Sequence, residues 1–369
     1  MIKAPNTNQI KVRLNDQVVG TLAITENGLA AFEYGAEFLQ NGFSISPFYL
    51  PLRPGVFIAH REPFNGLFGA FNDSLPDVWG TLLTDRMLKK EGHNSYEINV
   101  LQRLALVGTT GNGALTYHPD WILEKNDKNI ELAQIAGEVN RILQKEELSE
   151  LGAIYQMAGS SGGARPKVTM KIDGEGWIIK FPAAPDPQNI GEIEYQYSLA
   201  AKKCGIEMTE TRLFEGKYFG IKRFDKKENK RIHVHSASGL LYASHRFPSL
   251  DYTELIKATL ALTKNMNEAL KIFRQMVFNV LTFNKDDHAK NFSFIYQNSE
   301  WKVSPAYDLV LSQGFNGQHT TTIAGKGTPE KEDLFEVSKL TGLPTRKANK
   351  IYDEVFEGTQ SLKKTYKLY

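Results

Sequence analysis

Asn284-Lys285-Asp286-Asp287-His288-Ala289-Lys290-Asn291 is the stretch on which the reading of this chain turns. It follows an apolar pattern of helical spacing, with Leu270, Phe273, Val277, Val280 and Leu281 on one face, and precedes an extended run from Phe292 to Tyr296. That predicts a polar loop between a helix and a strand. Asp286 stands five residues before Asn291, the spacing at which the phosphoryl-transfer loop of kinases places a carboxylate and a metal-binding amide. The spacing has a chemical reason. One carboxylate accepts or orients the proton of an attacking hydroxyl, while an amide oxygen a short turn away holds a metal ion against the transferred group. Asp and Asn are also common turn residues, so the loop taken alone reads equally well as a plain connection.

Downstream, Phe292 to Tyr296 and Trp301 to Ser304 flank Gln297-Asn298-Ser299-Glu300, a hairpin pattern that brings Ala306-Tyr307-Asp308-Leu309 back alongside the loop. Asp286 is then the candidate catalytic carboxylate, and Asn291 and Asp308 are candidate Mg²⁺ ligands, with coordination positions left for water and ATP phosphates. A kinase carries Asp-Phe-Gly at the second position, and the glycine is absent here. Asp287 competes with Asp286 for the base role. His288 either fixes the loop by hydrogen bonding or contacts a phosphate.

Upstream, Lys180 in Trp177-Ile178-Ile179-Lys180-Phe181 sits on a predicted strand, where a cation can neutralise ATP phosphates. Glu192 and Glu194, on the helix expected from Glu192 to Lys203, are alternative partners for it. Gly159-Ser160-Ser161-Gly162-Gly163-Ala164-Arg165-Pro166-Lys167 precedes the strands and offers backbone N–H groups, Arg165 and Lys167 to an anion. It is not a Walker A loop, because Ala164 stands where the second glycine would fall. Ile221-Lys222-Arg223-Phe224-Asp225 ends a further strand and suits a hinge, with backbone near Lys222 meeting adenine and Phe224 covering the ring. His233, His235 and His245 raise a zinc site, but no fourth partner accompanies them.

The rest of the chain supplies the frame. Ile10, Val12 and Leu14, a turn at Asn15-Asp16, and Val18 to Ile24 read as a hairpin; Asn27-Gly28 then turns into a strand from Leu29 to Tyr34. Asn72-Asp73-Ser74 offers caps for a helix over 76–90. The glycines of Val107 to Ala114 read as a tight turn. Residues 124–150 read as a connecting helix, and Val168 to Ile172, Asp173 to Gly176 and Trp177 to Phe181 as a second hairpin. A helical region begins at Ser249. Among 369 residues, Lys and Arg number 44 and Asp and Glu 42, a formal net charge of +2 that argues against a dedicated nucleic-acid or membrane-surface protein. Cys204 is the single cysteine, which excludes an internal disulfide and a Cys-rich zinc site and suits a reducing compartment. Met1 to Gln9 lacks the apolar core of a secretory signal, and no apolar run is long enough to span a bilayer, so no membrane association and a cytoplasmic location are expected.

This ordered set resembles the HipA family of bacterial toxin–antitoxin kinases. The resemblance is carried by Phe71-Asn-Asp-Ser-Leu-Pro-Asp-Val-Trp-Gly80, the Gly159 to Lys167 loop, Lys180, Lys222-Arg-Phe-Asp225, Asn284 to Asn291 and Tyr307-Asp308, nearly the whole chain. It implies an α+β fold: a small N-terminal β-rich subdomain (1–120), a connecting helix (121–150), and a bilobal protein-kinase-like fold with a mixed α/β lobe (151–248) and an all-helical C-lobe (249–369). It implies Asp286 as catalytic residue and Asn291 and Asp308 as metal ligands. Gly162, Gly163, Lys167, Lys180, Lys222, Phe224, His288 and Tyr307 would bind ATP, and Ser160 or Ser161 would be autophosphorylated. The Glu common at the family's hinge is Lys222 here. The implied partners are a helix-turn-helix HipB-like antitoxin, operator DNA mainly through that antitoxin, and a protein substrate such as an aminoacyl-tRNA synthetase. Two rivals stand beside it. Asp286-Asp-His288-Ala-Lys-Asn291 also resembles the Asp-x-His-x-x-Asn loop of aminoglycoside and choline kinases, and a kinase fold without turnover would serve as an antitoxin-bound corepressor.

Overall fold

Alternation of apolar and polar residues builds the first sheet. Strands β1 (Gln9–Leu14), β2 (Gln17–Ile24), β3 (Ala30–Tyr34), β4 (Val56–Ile58) and β5 (Leu115–His118) lie in the order β4-β3-β2-β1-β5, every neighbouring pair antiparallel. The turn after β1 uses Asn15 at φ +51°, and the register slips between Val12 and Arg13. Ile10, Val12, Leu22 and Phe32 point one way into a core closed by Phe71 and Tyr117, with the Phe32 and Phe71 rings 5.1 Å apart. Each such aromatic contributes on the order of 1.5–3 kcal/mol by burial. The computed structural model describes residues 7–15, 17–121, 130–144, 146, 151–158, 162–227 and 230–368.

The next helix starts later than its cap signals suggest. It spans Val78–Lys90 with Asp77 as N-cap, because Asp73 closes a short helix, Gly69–Asn72, and Ser74 accepts the Tyr117 hydroxyl at 2.7 Å. The glycine-rich stretch after helix Val100–Val107 is a turn, as its pattern suggests. Arg231 donates to the carbonyls of Thr109 (2.7 Å), Gly111 and Gly113 (2.7 Å), and the Gly113 N–H donates to Asp225 at 2.8 Å. Helices Leu132–Leu143 and Leu151–Ala158 follow, and then the hairpin of β6 (Lys167–Ile172) and β7 (Glu175–Lys180). Asp173 and Gly174, at φ +53° and +82°, form the two-residue turn that matches strand twist.

The chain divides into two compact units, residues 1–188 with 225–233 and residues 189–224 with 234–369. Helix Leu151–Ala158 packs on both helix Val78–Lys90 and β6, which groups the β6–β7 hairpin with the N-terminal sheet.

In the second unit, helix Ile190–Lys203 packs on the hairpin of β8 (Thr211–Phe214) and β9 (Tyr218–Lys222) and on the long helix Thr345–Tyr366. The expected helical run after Ser249 is two helices, Tyr252–Thr263 and Met266–Leu281. Lys264, at φ +52°, ends the first, and the Asn265 side chain caps the second by accepting the Asn267 N–H at 2.9 Å. Tyr197, Phe273, Phe278 and Val355 are fully buried in this unit's core. The antiparallel hairpin Ser293–Gln297/Glu300–Val303 turns at Asn298-Ser299, so the region 249–369 is helical around a hairpin. No helix among the described residues is long and apolar enough to cross a membrane.

Cys204 follows helix Ile190–Lys203, fully buried, its Sγ 3.7 Å from the Val355 carbonyl. Burial pushes its thiol up to about 11, against the opposing pull of Arg274 and Lys203. A folded value above the unfolded one means that this contribution to stability is lost as pH rises from the ordinary thiol range through about 11. At pH 8 an aromatic disulfide reagent is expected to leave the native thiol unlabelled while titrating it at once in the urea-unfolded chain; rapid native labelling would contradict this packing.

Candidate active site

Each unit carries one group of the candidate residues. In the first unit, Gly162 to Lys167 forms a loop held from several sides. The Gly163 N–H donates to the Asp77 carboxylate at 2.7 Å, and Trp79 Nε1 donates to the Lys167 carbonyl at 3.0 Å. Asp77 is a helix N-cap residue that makes no capping bond, its carboxylate being turned to the loop. The motif Phe71 to Gly80 is therefore the buttress of this loop. Lys167 Nζ donates back to the Gly162 carbonyl, and Gly163 stands at φ +93°, a backbone conformation that any side chain would strain. Arg165 does not present a spare cation to an anion: its guanidinium makes three bonds of 2.9–3.1 Å to Asp186.

Lys167 and Lys180 are register partners on β6 and β7, so their side chains leave the same face of the hairpin. Ser160 and Ser161 lie outside the described residues.

In the second unit, Asp286 and Asp287 are separated by environment. Asp287 is 1 % exposed, and both its oxygens are taken: Oδ2 accepts the Tyr252 hydroxyl (2.9 Å) and His319 Nδ1 (2.9 Å), and Oδ1 accepts the N–H groups of Thr320 (2.9 Å) and Thr321 (3.2 Å). The network continues, Asn279 Nδ2 donating to Tyr252 and Asn284 Nδ2 to Asn279 Oδ1, both at 2.9 Å. Burial first and the Asp287 charge second push the Tyr252 hydroxyl well above its ordinary value, so it stays a donor. Asp287 has no geometry for proton transfer. Asp286, by contrast, is exposed.

The fit of a divalent cation rests on Asn291 and Asp308. Asn291 Nδ2 donates to the Asp286 main-chain carbonyl at 2.7 Å, which fixes which end of the amide is nitrogen and leaves Oδ1 as a hard oxygen donor in a 7 % exposed residue. Asp308 adds a carboxylate from a left-handed backbone at φ +58°, a region that aspartate enters more readily than most side chains. One amide oxygen and one carboxylate suit Mg²⁺, which keeps waters and substrate phosphates in its remaining positions. Among the described residues no cluster of three or more His, Cys, Asp or Glu side chains is arranged to hold a metal, which removes support for zinc at His233, His235 and His245; His233 Nε2 lies 2.8 Å from the Ile45 carbonyl instead.

His288 does not fix the loop through Nδ1, which is buried without a hydrogen-bond partner; its ring lies 6.3 Å from that of His245. Phe224 and Tyr307 stack, with centroids 6.0 Å apart and planes at 29°. The Lys222 N–H bonds the Glu210 carbonyl (2.9 Å) and its own carbonyl accepts the Thr209 hydroxyl (2.6 Å), so the Lys222 N–H is spent inside the protein and not offered to adenine. Of the carboxylates considered for Lys180, Glu194 is buried and Glu192 exposed. Sequence reasoning missed Tyr252, His319 and Asn279, which lie far from the loop along the chain and carry no local motif. Asp77 and Trp79 lay inside a quoted motif, but nothing local pointed them at the loop.

Comparison with known proteins adds independent findings. Residues 159–362 match the model of the HipA-like C-terminal domain, and residues 10–118 that of the HipA N-terminal domain. Two proteins of Sinorhizobium fredii named putative kinases, Y4dM and Y4mE, are 23 % identical over 335 residues and 27 % identical over 352, each alignment covering 83 % of this chain and 78 % of the relative. A putative kinase of Haemophilus influenzae is 29 % identical over 182 residues, covering 42 % of this chain and 53 % of that one. Among solved structures, the HipA–HipB–operator DNA complex of Shewanella oneidensis MR-1 matches with a TM-score of 0.71 at 18 % identity, covering 98 % of this chain and 91 % of that one, a likeness of fold.

Proposed function

The chain belongs to the HipA family, carrying both its N-terminal and its C-terminal domain, and on that premise we propose that it is an ATP- and Mg²⁺-dependent serine/threonine protein kinase acting as the toxin of a toxin–antitoxin pair. The observation that carries the reading is the division of labour in the catalytic loop. Asp287 is locked in the core, Asp286 faces solvent, and the Asn291 amide is turned by the Asp286 carbonyl so that its oxygen faces outward from that bond.

In this reading Asp286 accepts or orients the proton of the attacking serine or threonine hydroxyl. Asn291 Oδ1 and the Asp308 carboxylate hold Mg²⁺, which when bound neutralises charge on the transferred phosphoryl group. The Lys167–Lys180 face and the Gly162–Gly163 loop receive ATP phosphates, His288 contacts a phosphate, and Phe224 with Tyr307 supplies the apolar surface for the base. Ser160 or Ser161 is the proposed autophosphorylation site. The partners proposed from the family are a HipB-like helix-turn-helix antitoxin, operator DNA mainly through it, and a protein of translation such as an aminoacyl-tRNA synthetase as substrate. Similar proteins support this: two relatives aligned over 78 % of their length are named putative kinases, and the solved complex of like fold contains HipA, HipB and operator DNA.

The test is a choice of acceptor. With γ-labelled ATP and Mg²⁺, label is expected on serine or threonine of protein, including this chain, and not on added aminoglycoside or choline. Label on the small alcohols alone would move the assignment to the aminoglycoside and choline kinase type. ATP binding without any transfer would move it to an antitoxin-bound corepressor.

A further inference from the structure

We infer that the Tyr307 hydroxyl is a positioning group for the metal site, tying the residue before Asp308 to the residue before Asn291 and so setting the affinity for the divalent cation. This rests on the proposed role of Asn291 and Asp308 as its ligands. Tyr307 Oη donates to the Lys290 carbonyl at 2.7 Å and lies 2.5 Å from Ser293 Oγ. Lys290 and Ser293 bracket the Asn291-Phe292 dipeptide, with Phe292 almost wholly buried beneath it. One hydroxyl therefore clasps the end of the catalytic loop from the segment that carries the second ligand.

The backbone of Asp308 gives that clasp its importance. Asp308 turns the chain in a left-handed conformation, φ +58°, so the direction of its carboxylate depends on how its two flanks are held. After Asp308 the flank is Leu309 and Val310, 2 % and 3 % exposed in the second unit's core. Before it, the flank is Tyr307, whose ring stacks on Phe224 and whose hydroxyl holds the loop. The ring and the hydroxyl thus serve different purposes and can be separated by substitution. Phenylalanine keeps the stack and frees the loop; alanine at Ser293 removes one of the two hydroxyl contacts and keeps the other.

The experiment uses the full chain with a non-hydrolysable ATP analogue and Mn²⁺ as the probe, reading free Mn²⁺ by electron paramagnetic resonance and analogue binding in EDTA separately. Tyr307→Phe is expected to weaken Mn²⁺ binding in the presence of analogue by roughly 10-fold, the usual loss when a ligand's outer support is removed, while analogue affinity in EDTA changes by less than about twofold. Ser293→Ala is expected to weaken Mn²⁺ binding by a smaller factor in the same direction, and it carries the test should the tyrosine variant not fold. An unchanged Mn²⁺ affinity in the folded variants would overturn the inference, as would an equal loss of analogue affinity in EDTA, which would make Tyr307 a base platform alone. Wild type that binds analogue but no Mn²⁺ would overturn the metal-ligand reading itself, and the positioning role with it.

Discussion

Asp286→Ala is expected to lower phosphoryl transfer by roughly 10²- to 10⁴-fold, the range over which a positioned acid–base group contributes, while changing folding stability by no more than about 0.5 kcal/mol. The two halves of that expectation have separate causes. The residue is exposed, so its removal empties no core. The loop keeps its shape because its anchors lie elsewhere: Asn291 bonds the main-chain carbonyl of residue 286, which alanine retains, and Asp287 is pinned from four donors. Initial rates of transfer beside urea unfolding curves check both. A variant that keeps its rate within a few-fold would remove Asp286 from the chemistry.

Asp287→Ala is expected to do the reverse, costing about 3–5 kcal/mol of stability as a buried charged partner is deleted. The Tyr252 hydroxyl, His319 Nδ1 and the N–H groups of Thr320 and Thr321 would each lose an acceptor in a site that water does not reach. Against a typical domain stability of about 5–15 kcal/mol, a loss of that size leaves the second unit marginal or unfolded at 37 °C. The readout is the urea midpoint followed by circular dichroism. A shift worth less than about 1 kcal/mol would mean that the network around Asp287 is ornamental to the fold.

Local chemistry made much of this legible. The alternation of Ile10, Val12 and Leu14, the turn residues Asn15 and Asp173-Gly174, and the helical spacing before Asn284 each act within a few residues, so each could be read from the chain. The Asp286-to-Asn291 interval was readable for the same reason. Contacts decided by distant segments were not. Nothing near Asp287 announces that His319, thirty-two residues on, will claim its carboxylate, and only the folded chain separates the two adjacent aspartates into anchor and candidate base. The helix start was misread because three polar residues that look like caps, Asn72, Asp73 and Ser74, are spent on a shorter helix and on Tyr117. Arg165 was read as an anion ligand because Asp186, which takes it, lies across the hairpin. The division into units depends on helix Leu151–Ala158 packing two ways, a choice no periodicity records.

The most direct test of the account is phosphoamino-acid analysis after incubation of the full chain with γ-labelled ATP and Mg²⁺, run beside Asp286→Asn and beside an EDTA control. The account predicts labelled phosphoserine or phosphothreonine from wild type, and none above background from the variant or in EDTA. Equal labelling in wild type and Asp286→Asn would contradict it.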